Sequence, residues 1–271
     1  SKGCSFGERG QLMLIDSHAH LNDKRLIDEV EDIVRDMPKD NLEAIINVGY
    51  DYESSKVSVE LANRFSNVYA AVGIHPHDAK YAAKSHYEFF EKAVKDEKVL
   101  AIGEIGLDFY YDHSPRDIQE KVFLEQLDLA HSLKKPAIIH LRDAYRPMYN
   151  LLKENIHKLE YGAILHCYSG SAEMLKEFAK LGLYFSFGGA ITFKNAKNKP
   201  EVIRQTPIDK LLLETDCPYM TPEPYRGKTN YPKYISLVAR RVAEILGKDY
   251  DDIVRTTNEN TKRFFGPKLR K

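Results

Sequence analysis

Leu12-Met13-Leu14-Ile15-Asp16-Ser17-His18-Ala19-His20 is the stretch on which the fold turns. An apolar run that passes abruptly into Asp, Ser and His reads as a buried parallel strand, with polar chemistry at its far end. No glycine follows it. A doubly wound open sheet usually carries a Gly-rich phosphate loop after its first strand. Its absence here favours the other architecture that alternates strands and helices, the (β/α)8 barrel.

Seven more short runs rich in Ile, Val, Leu and Ala follow, at 42–49, 68–73, 99–103, 137–140, 163–166, 183–187 and 210–214; with 12–18 they make eight. Amphipathic segments lie between and after them, at 25–37, 52–65, 85–95, 116–133, 172–181, 232–246 and 250–264. Apolar strands alternating with helices imply a parallel sheet covered by helices. The chain has 271 residues, and such barrels run to about 250 as one domain. The expectation is a single-domain α/β protein, a (β/α)8 TIM barrel over 12–266. Residues 1–11 are set apart as a flexible N-terminal arm or a cloning remnant.

Lysine plus arginine number 40, as do aspartate plus glutamate, so the formal net charge is zero. This excludes a protein that coats nucleic acid through bulk positive charge and leaves room for a local phosphate site. Hydrophobics at 43% and charged residues at 30% describe a globular chain rather than a disordered one. Three widely spaced cysteines, Cys4, Cys167 and Cys217, build no disulfide framework and suit a reducing compartment. No 18-residue apolar run and no signal-like segment is present, so a cytoplasmic protein is expected, and a monomer.

Functional residues of such barrels sit at the C-terminal ends of the strands. Those ends here hold His18 and His20, His75 and His77, Glu104 and Asp108, His140 and Arg142, His166, and Asp216, which together include six of the ten histidines. His18 and His20 share a strand face and can converge on one ion. A lone His-x-His is weak evidence, being as often a pair of core or surface histidines. Glu104, His140, His166 and Asp216 add weight, because each ends a buried strand and is costly there unless paired or bound to a cation. Four histidines and two carboxylates exceed the needs of one tetrahedral ion and suit two ions sharing a carboxylate.

The motifs Ile15 to Leu21, Gly73-Ile74-His75-Pro76-His77, Gly103-Glu104-Ile105-Gly106-Leu107-Asp108, His140-Leu141-Arg142-Asp143, His166-Cys167-Tyr168-Ser169-Gly170 and Glu214-Thr215-Asp216-Cys217-Pro218, in this order, resemble the TatD-like metal-dependent deoxyribonucleases of the amidohydrolase superfamily. The loop Arg226-Gly227-Lys228-Thr229-Asn230-Tyr231-Pro232 is similar too, and the resemblance spans about 13–265. It implies one divalent ion on His18, His20, Glu104 and Asp216. A second would lie on Glu104, His140 and His166, with Glu104 as the bridge. Histidine ligands suit zinc or manganese, and the family admits magnesium. The residues before the first strand depart from the family pattern, which begins close to that strand.

Two such ions can activate a water for attack on phosphorus. The implied activity is exonucleolytic hydrolysis of single-stranded DNA ends, with Asp216 as proton acceptor and Glu104 as bridging ligand. His77, Arg142 and Arg226 are the candidate phosphate contacts. The plainer readings are a backbone-bonded histidine for His77, a salt bridge to Asp108 or Asp143 for Arg142, and a solvated loop charge for Arg226. Lys194, Lys197 and Lys199 read as a solvated helix start more than as a track for DNA. Phe109, Tyr110, Tyr111 and Tyr168 can stack on bases but more commonly pack under loops. Cys167 and Cys217, each beside a proposed ligand, are expected to face the barrel–helix layer. The same centre attacks carbonyls, so an amidohydrolase or deacylase for a small molecule or aminoacyl ester is the alternative. A metal-binding scaffold without turnover is the third reading.

Overall fold

The computed structural model describes residues 11–270. The arm expected over 1–11 lies, Gln11 apart, outside the described residues, as does Cys4. Eight strands run parallel in the order β1 to β8. They are β1 Leu14–Ala19, β2 Leu42–Val48, β3 Val68–Val72 and β4 Val99–Asp108, then β5 Ala137–Arg142, β6 Ala163–Leu165, β7 Tyr184–Phe187 and β8 Leu211–Leu213. The covering helices are α1 Val30–Asp36, α2 Tyr52–Arg64, α3 Lys84–Ala93, α4 Arg116–Ser132, α5 Tyr145–Glu154, α6 Ala172–Lys180, α7 Lys199–Gln205, α8 Ile235–Leu246 and α9 Tyr250–Phe265. Helix α5 lies between expected strands where no helix was read, and α7 starts at Lys199, where only a helix start was read. The fold is the expected single-domain barrel.

Local chemistry sets the element ends. Asp51 and Ser54 form a reciprocal capping box at the start of α2, and Ser171 caps α6. Gly247, in the left-handed region at φ 61°, stops α8. The largest departure from the sequence reading is β4. It continues past Gly103 through Glu104 to Asp108, buried throughout. The extra length is paired with β5, Gly106 opposite His140 and Asp108 opposite Arg142.

Two cores hold the barrel. Outward-facing side chains such as Leu14, Ile45, Val72, Ile102 and Leu141 pack with helix residues such as Phe90, Phe123 and Phe178. Ile15, Ile46, Ile138, Ile164 and Leu212 fill the interior together with Phe264, Phe265 and Leu269. Phe264 lies against Gly162, just before β6, so α9 closes the N-terminal mouth of the barrel. The C-terminal mouth is left for the site. Each fully buried aliphatic side chain contributes roughly 1.5–3 kcal/mol by removal from water.

No backbone ladder joins β8 to β1. Side chains and loop amides bridge the seam instead. Asp16 accepts from the Thr215 amide at 2.9 Å and its hydroxyl at 2.5 Å, and Ser17 Oγ donates to the Leu213 carbonyl at 2.8 Å. Past the end of β8, Asp216 N donates to His18 O on β1, and His20 N donates to Cys217 O, both at 2.9 Å. On α9, Asn258 donates to Met13 O, while Asn260 donates to Ile208 O and Leu211 O.

Gly106 adopts φ +152°, and a Cβ there would meet the His140 carbonyl oxygen at 1.9 Å. Gly106→Ala is expected to cost on the order of 3 kcal/mol or more, since the β4–β5 ladder must part. Gly182, at φ +84° with nothing within 4 Å of a built Cβ, is the control: Gly182→Ala should cost about 1 kcal/mol. Urea denaturation of both variants checks the ranking.

Candidate metal centre

Glu104 lies at the centre of the C-terminal mouth and is 3% exposed. Its two carboxylate oxygens face different elements. Oε1 is 3.1 Å from His18 Nε2 and 3.7 Å from His20 Nε2, both supplied by the end of β1. Oε2 is 3.0 Å from His140 Nδ1 on β5, 3.1 Å from His166 Nε2 after β6 and 3.3 Å from His75 Nε2 after β3. Asp216, after β8, places Oδ1 3.2 Å from His20 Nε2 and 3.5 Å from His18 Nε2. The structure thus brings together all six expected ligands, and His75 with them.

The outer nitrogens of these rings decide what the inner ones present. His20 Nδ1 contacts the Val48 carbonyl at 2.8 Å, His166 Nδ1 contacts Glu214 Oε1 at 3.3 Å, and His140 Nε2 contacts Asp108 Oδ2 at 2.9 Å. Each outer nitrogen therefore carries the proton and donates it to an oxygen. In the neutral ring the inner nitrogen then offers a lone pair. Those lone pairs point at the oxygens of Glu104 and Asp216, and His18 Nε2 stands 3.2 Å from His20 Nε2. Buried His18 Nδ1 has no hydrogen-bond partner. Ring nitrogens and anionic oxygens converge here in one buried place, where either protons or a cation must answer the charge. The residues present fit divalent metal.

Electrostatics point the same way. Burial disfavours the charged form of Glu104, but His166, His75 and His140 outweigh it and hold the carboxyl well below its ordinary range. Burial likewise disfavours protonated His166, yet Glu104 and Glu214 push it well above the usual imidazole range. Asp108 is held low, against burial, by His140 and His77. His75 falls to about 4, through burial and the neighbouring His140.

Four residues, Asp108, Gln119, Glu214 and Asn47, position the site in a way the sequence reading did not assign. Asp108 Oδ2 contacts His77 Nε2 at 3.2 Å as well as His140, while its own backbone N–H and C=O are both bound by the Gln119 side chain. Glu214 accepts from Ser186 Oγ and, at 3.3 Å, from the Cys167 amide. Asn47 accepts from the Leu21 amide at 2.6 Å and fixes the turn after His20. Asp108 and Glu214 stand inside quoted motifs, and a carboxylate at a strand end was the available signal. Nothing local marked Asn47 or Gln119.

The centre floors a pocket of about 640 Å³. His77, Arg142, Tyr168 and Lys199 line it, as do Phe187, Ile191, Tyr219 and Met220. Arg142 forms no salt bridge to Asp108 or Asp143; its guanidinium lies 4.0 Å over Tyr110 and 5.0 Å over Tyr111. Arg226 is not among the lining residues and stacks 3.8 Å over Phe193. Tyr168 is buried, with its hydroxyl on the Ser171 carbonyl. Cys217 is buried as expected, but Cys167 lines the pocket. Its backbone turns into the left-handed region at φ 46°, which ends the strand alternation that would face it outward. Lys199 is buried rather than solvated.

A parallel barrel with a His/Glu/Asp centre at its C-terminal mouth defines a metal-dependent hydrolase. The profile of the family "TatD related DNase" matches residues 15–266, and the chain belongs to that family. It is 42% identical over 253 residues to the uncharacterized metal-dependent hydrolase YabD of Bacillus subtilis, covering 93% of this chain and 99% of YabD. Identity to YcfH of Escherichia coli K12, also an uncharacterized metal-dependent hydrolase, is 31% over 257 residues, covering 94% and 96%. Among solved structures, YjjV, a TatD homolog from Escherichia coli K12, superposes with a TM-score of 0.88 at 29% identity, over 94% of this chain and 98% of that one. Among the described residues no helix is long and apolar enough to cross a membrane.

Asp108→Ala removes the acceptor that turns His140 and is expected to weaken divalent metal binding about 10–100-fold in a direct titration. The carboxylates hold His20, His140 and His166 above the ordinary imidazole range against the opposing effect of burial. A divalent ion must displace those protons. Binding is therefore expected to release protons near neutral pH and to weaken as pH falls. Calorimetry in buffers of different ionisation enthalpy reads the proton count, and a count of zero contradicts the assignment.

Proposed function

We propose that this chain is a metal-dependent phosphodiesterase that removes nucleotides from the ends of single-stranded DNA. The observation that carries the reading is the pairing of the Glu104-centred ligand cluster with Arg142, a pocket cation with which, among the described residues, no carboxylate forms an ion pair. A phosphodiester supplies the missing anion, whereas an uncharged amide leaves the guanidinium without a partner. The free thiols Cys167 and Cys217 favour a reducing compartment, the cytoplasm.

The proposed holders of two divalent ions are His18, His20, Glu104 and Asp216 on one side, and Glu104, His140 and His166 on the other. Divalent ions in such a site lower the pKa of water and draw charge from phosphoryl oxygens; magnesium, manganese and zinc are the candidates. Asp216 presents its carboxylate to the pocket and takes the proton of the attacking water. Arg142, steadied over Tyr110 and Tyr111, grips the non-bridging oxygens of the phosphate. His77, held by Asp108, reaches the same group from the β3 side. Arg226, over Phe193, meets only a longer chain leaving the pocket. Tyr219 is 46% exposed at the rim and offers a stacking face for a base.

The apolar part of the wall, Phe187, Ile191 and Met220, favours a second reading, hydrolysis of an acyl ester or amide. One assay separates the two. End-labelled single-stranded DNA is incubated with metal-stripped protein, with magnesium, manganese or zinc added back. Stepwise, metal-dependent shortening is expected, with Asp216→Asn slower by about 10²–10⁴-fold. Full activity in Asp216→Asn removes that residue from the proton step. Turnover of acyl esters with intact DNA transfers the function to the second reading.

A further inference from the structure

Lys199 opens α7 and is only 8% exposed. Lysine is seldom buried without a carboxylate partner. Here Nζ donates to the Tyr168 carbonyl oxygen at 3.1 Å, a neutral group. Among the described residues no carboxylate forms an ion pair with it. An ammonium has three N–H donors, and this side chain lines the pocket.

The contact to Tyr168 ties α7 to the segment after β6. A neutral amide would make that tie without the cost of burying a charge. Burial indeed drives the Lys199 pKa below its ordinary value. The charge has another use. Lys199 reaches the β6 segment beyond His166 and Cys167, and Arg142 ends the neighbouring strand β5. Lys199 and Arg142 are thus held on or against the ends of β5 and β6, and among the described residues no carboxylate forms an ion pair with either. In the reading proposed above Arg142 and the metal centre answer the cleaved phosphate, and Lys199 is a further cation on the pocket wall.

We propose that Lys199 forms a second anion subsite, which binds a phosphate of the substrate other than the one being cleaved. The site then favours phosphate-bearing nucleotide ends over diesters with one phosphate. The inference rests on the phosphodiester reading of the pocket, but the subsite is measurable without turnover.

The test is equilibrium binding of thymidine 3′,5′-bisphosphate and of each thymidine monophosphate to the metal-replete protein. The bisphosphate is expected to bind about tenfold more tightly than either monophosphate, the size of one charge-assisted contact. Lys199→Gln should abolish that preference while leaving the better monophosphate unchanged, and Lys199→Arg should restore most of it. Equal binding of all three ligands to the wild-type protein overturns the proposal. So does a Lys199→Gln variant that weakens all ligands alike, because it reduces Lys199 to a tie for the Tyr168 carbonyl. A preserved bisphosphate preference in a protein that cleaves no DNA keeps the subsite and removes the nuclease reading instead.

Discussion

The negative charge of Glu104 governs the C-terminal mouth of the barrel. A carboxylate this deeply buried is costly by several kcal/mol unless charge and hydrogen bonds answer it. Five imidazoles from β1, β3, β5 and β6 converge on its two oxygens. Because the oxygens face different sides, one residue links ligands from opposite parts of the barrel. A change in the tilt of β4 moves every one of these distances at once. This is why β4 is the longest strand, why it runs buried to Asp108, and why Gly106 must let the β5 backbone approach so closely.

Outer partners give the inner geometry its direction. Val48, Glu214 and Asp108 each take the proton of one ring, so that the opposite nitrogen of that ring faces inward. These acceptors are themselves held. Gln119 on α4 binds both backbone groups of Asp108, and two turns further along the same helix Gln126 binds both backbone groups of Ile74. Two glutamines on one helix thereby steady the ends of β3 and β4 together. Asp16 performs a related task at the seam, where no ladder exists and the His18 and Asp216 backbones must still meet. Precision at the site thus rests on buried polar bonds, each of which is costly to leave unmade.

Above this floor the pocket wall is mixed. Imidazoles come from the ends of β1, β3, β5 and β6, Arg142 from β5 and Lys199 from α7, while the apolar Phe187, Ile191 and Met220 belong to the β7 and β8 ends. The chain as a whole is neutral, so long-range attraction to a polyanion is weak. Under the function proposed here, a few cations beside the centre would grip phosphate locally. Such an arrangement suits a strand end that enters a pocket more than a duplex laid across a surface.

The alternation of apolar runs with amphipathic segments determined the barrel, because a parallel sheet buried on both faces leaves that pattern in any sequence. Polar residues that interrupt the runs at their C-terminal ends marked the residues that cluster on Glu104 for a related reason: they stand where burial is costly without a partner or a cation. Only the tertiary structure decided the rest. It extended β4, drew His75 onto Glu104 through the turn at Pro76, and turned Cys167 into the pocket through a left-handed backbone. It also buried Lys199 and paired Asp108 with two histidines. Periodicity and local spacing carry no record of such contacts. They join residues far apart in the chain, and which atoms meet is settled by how strands tilt and helices pack.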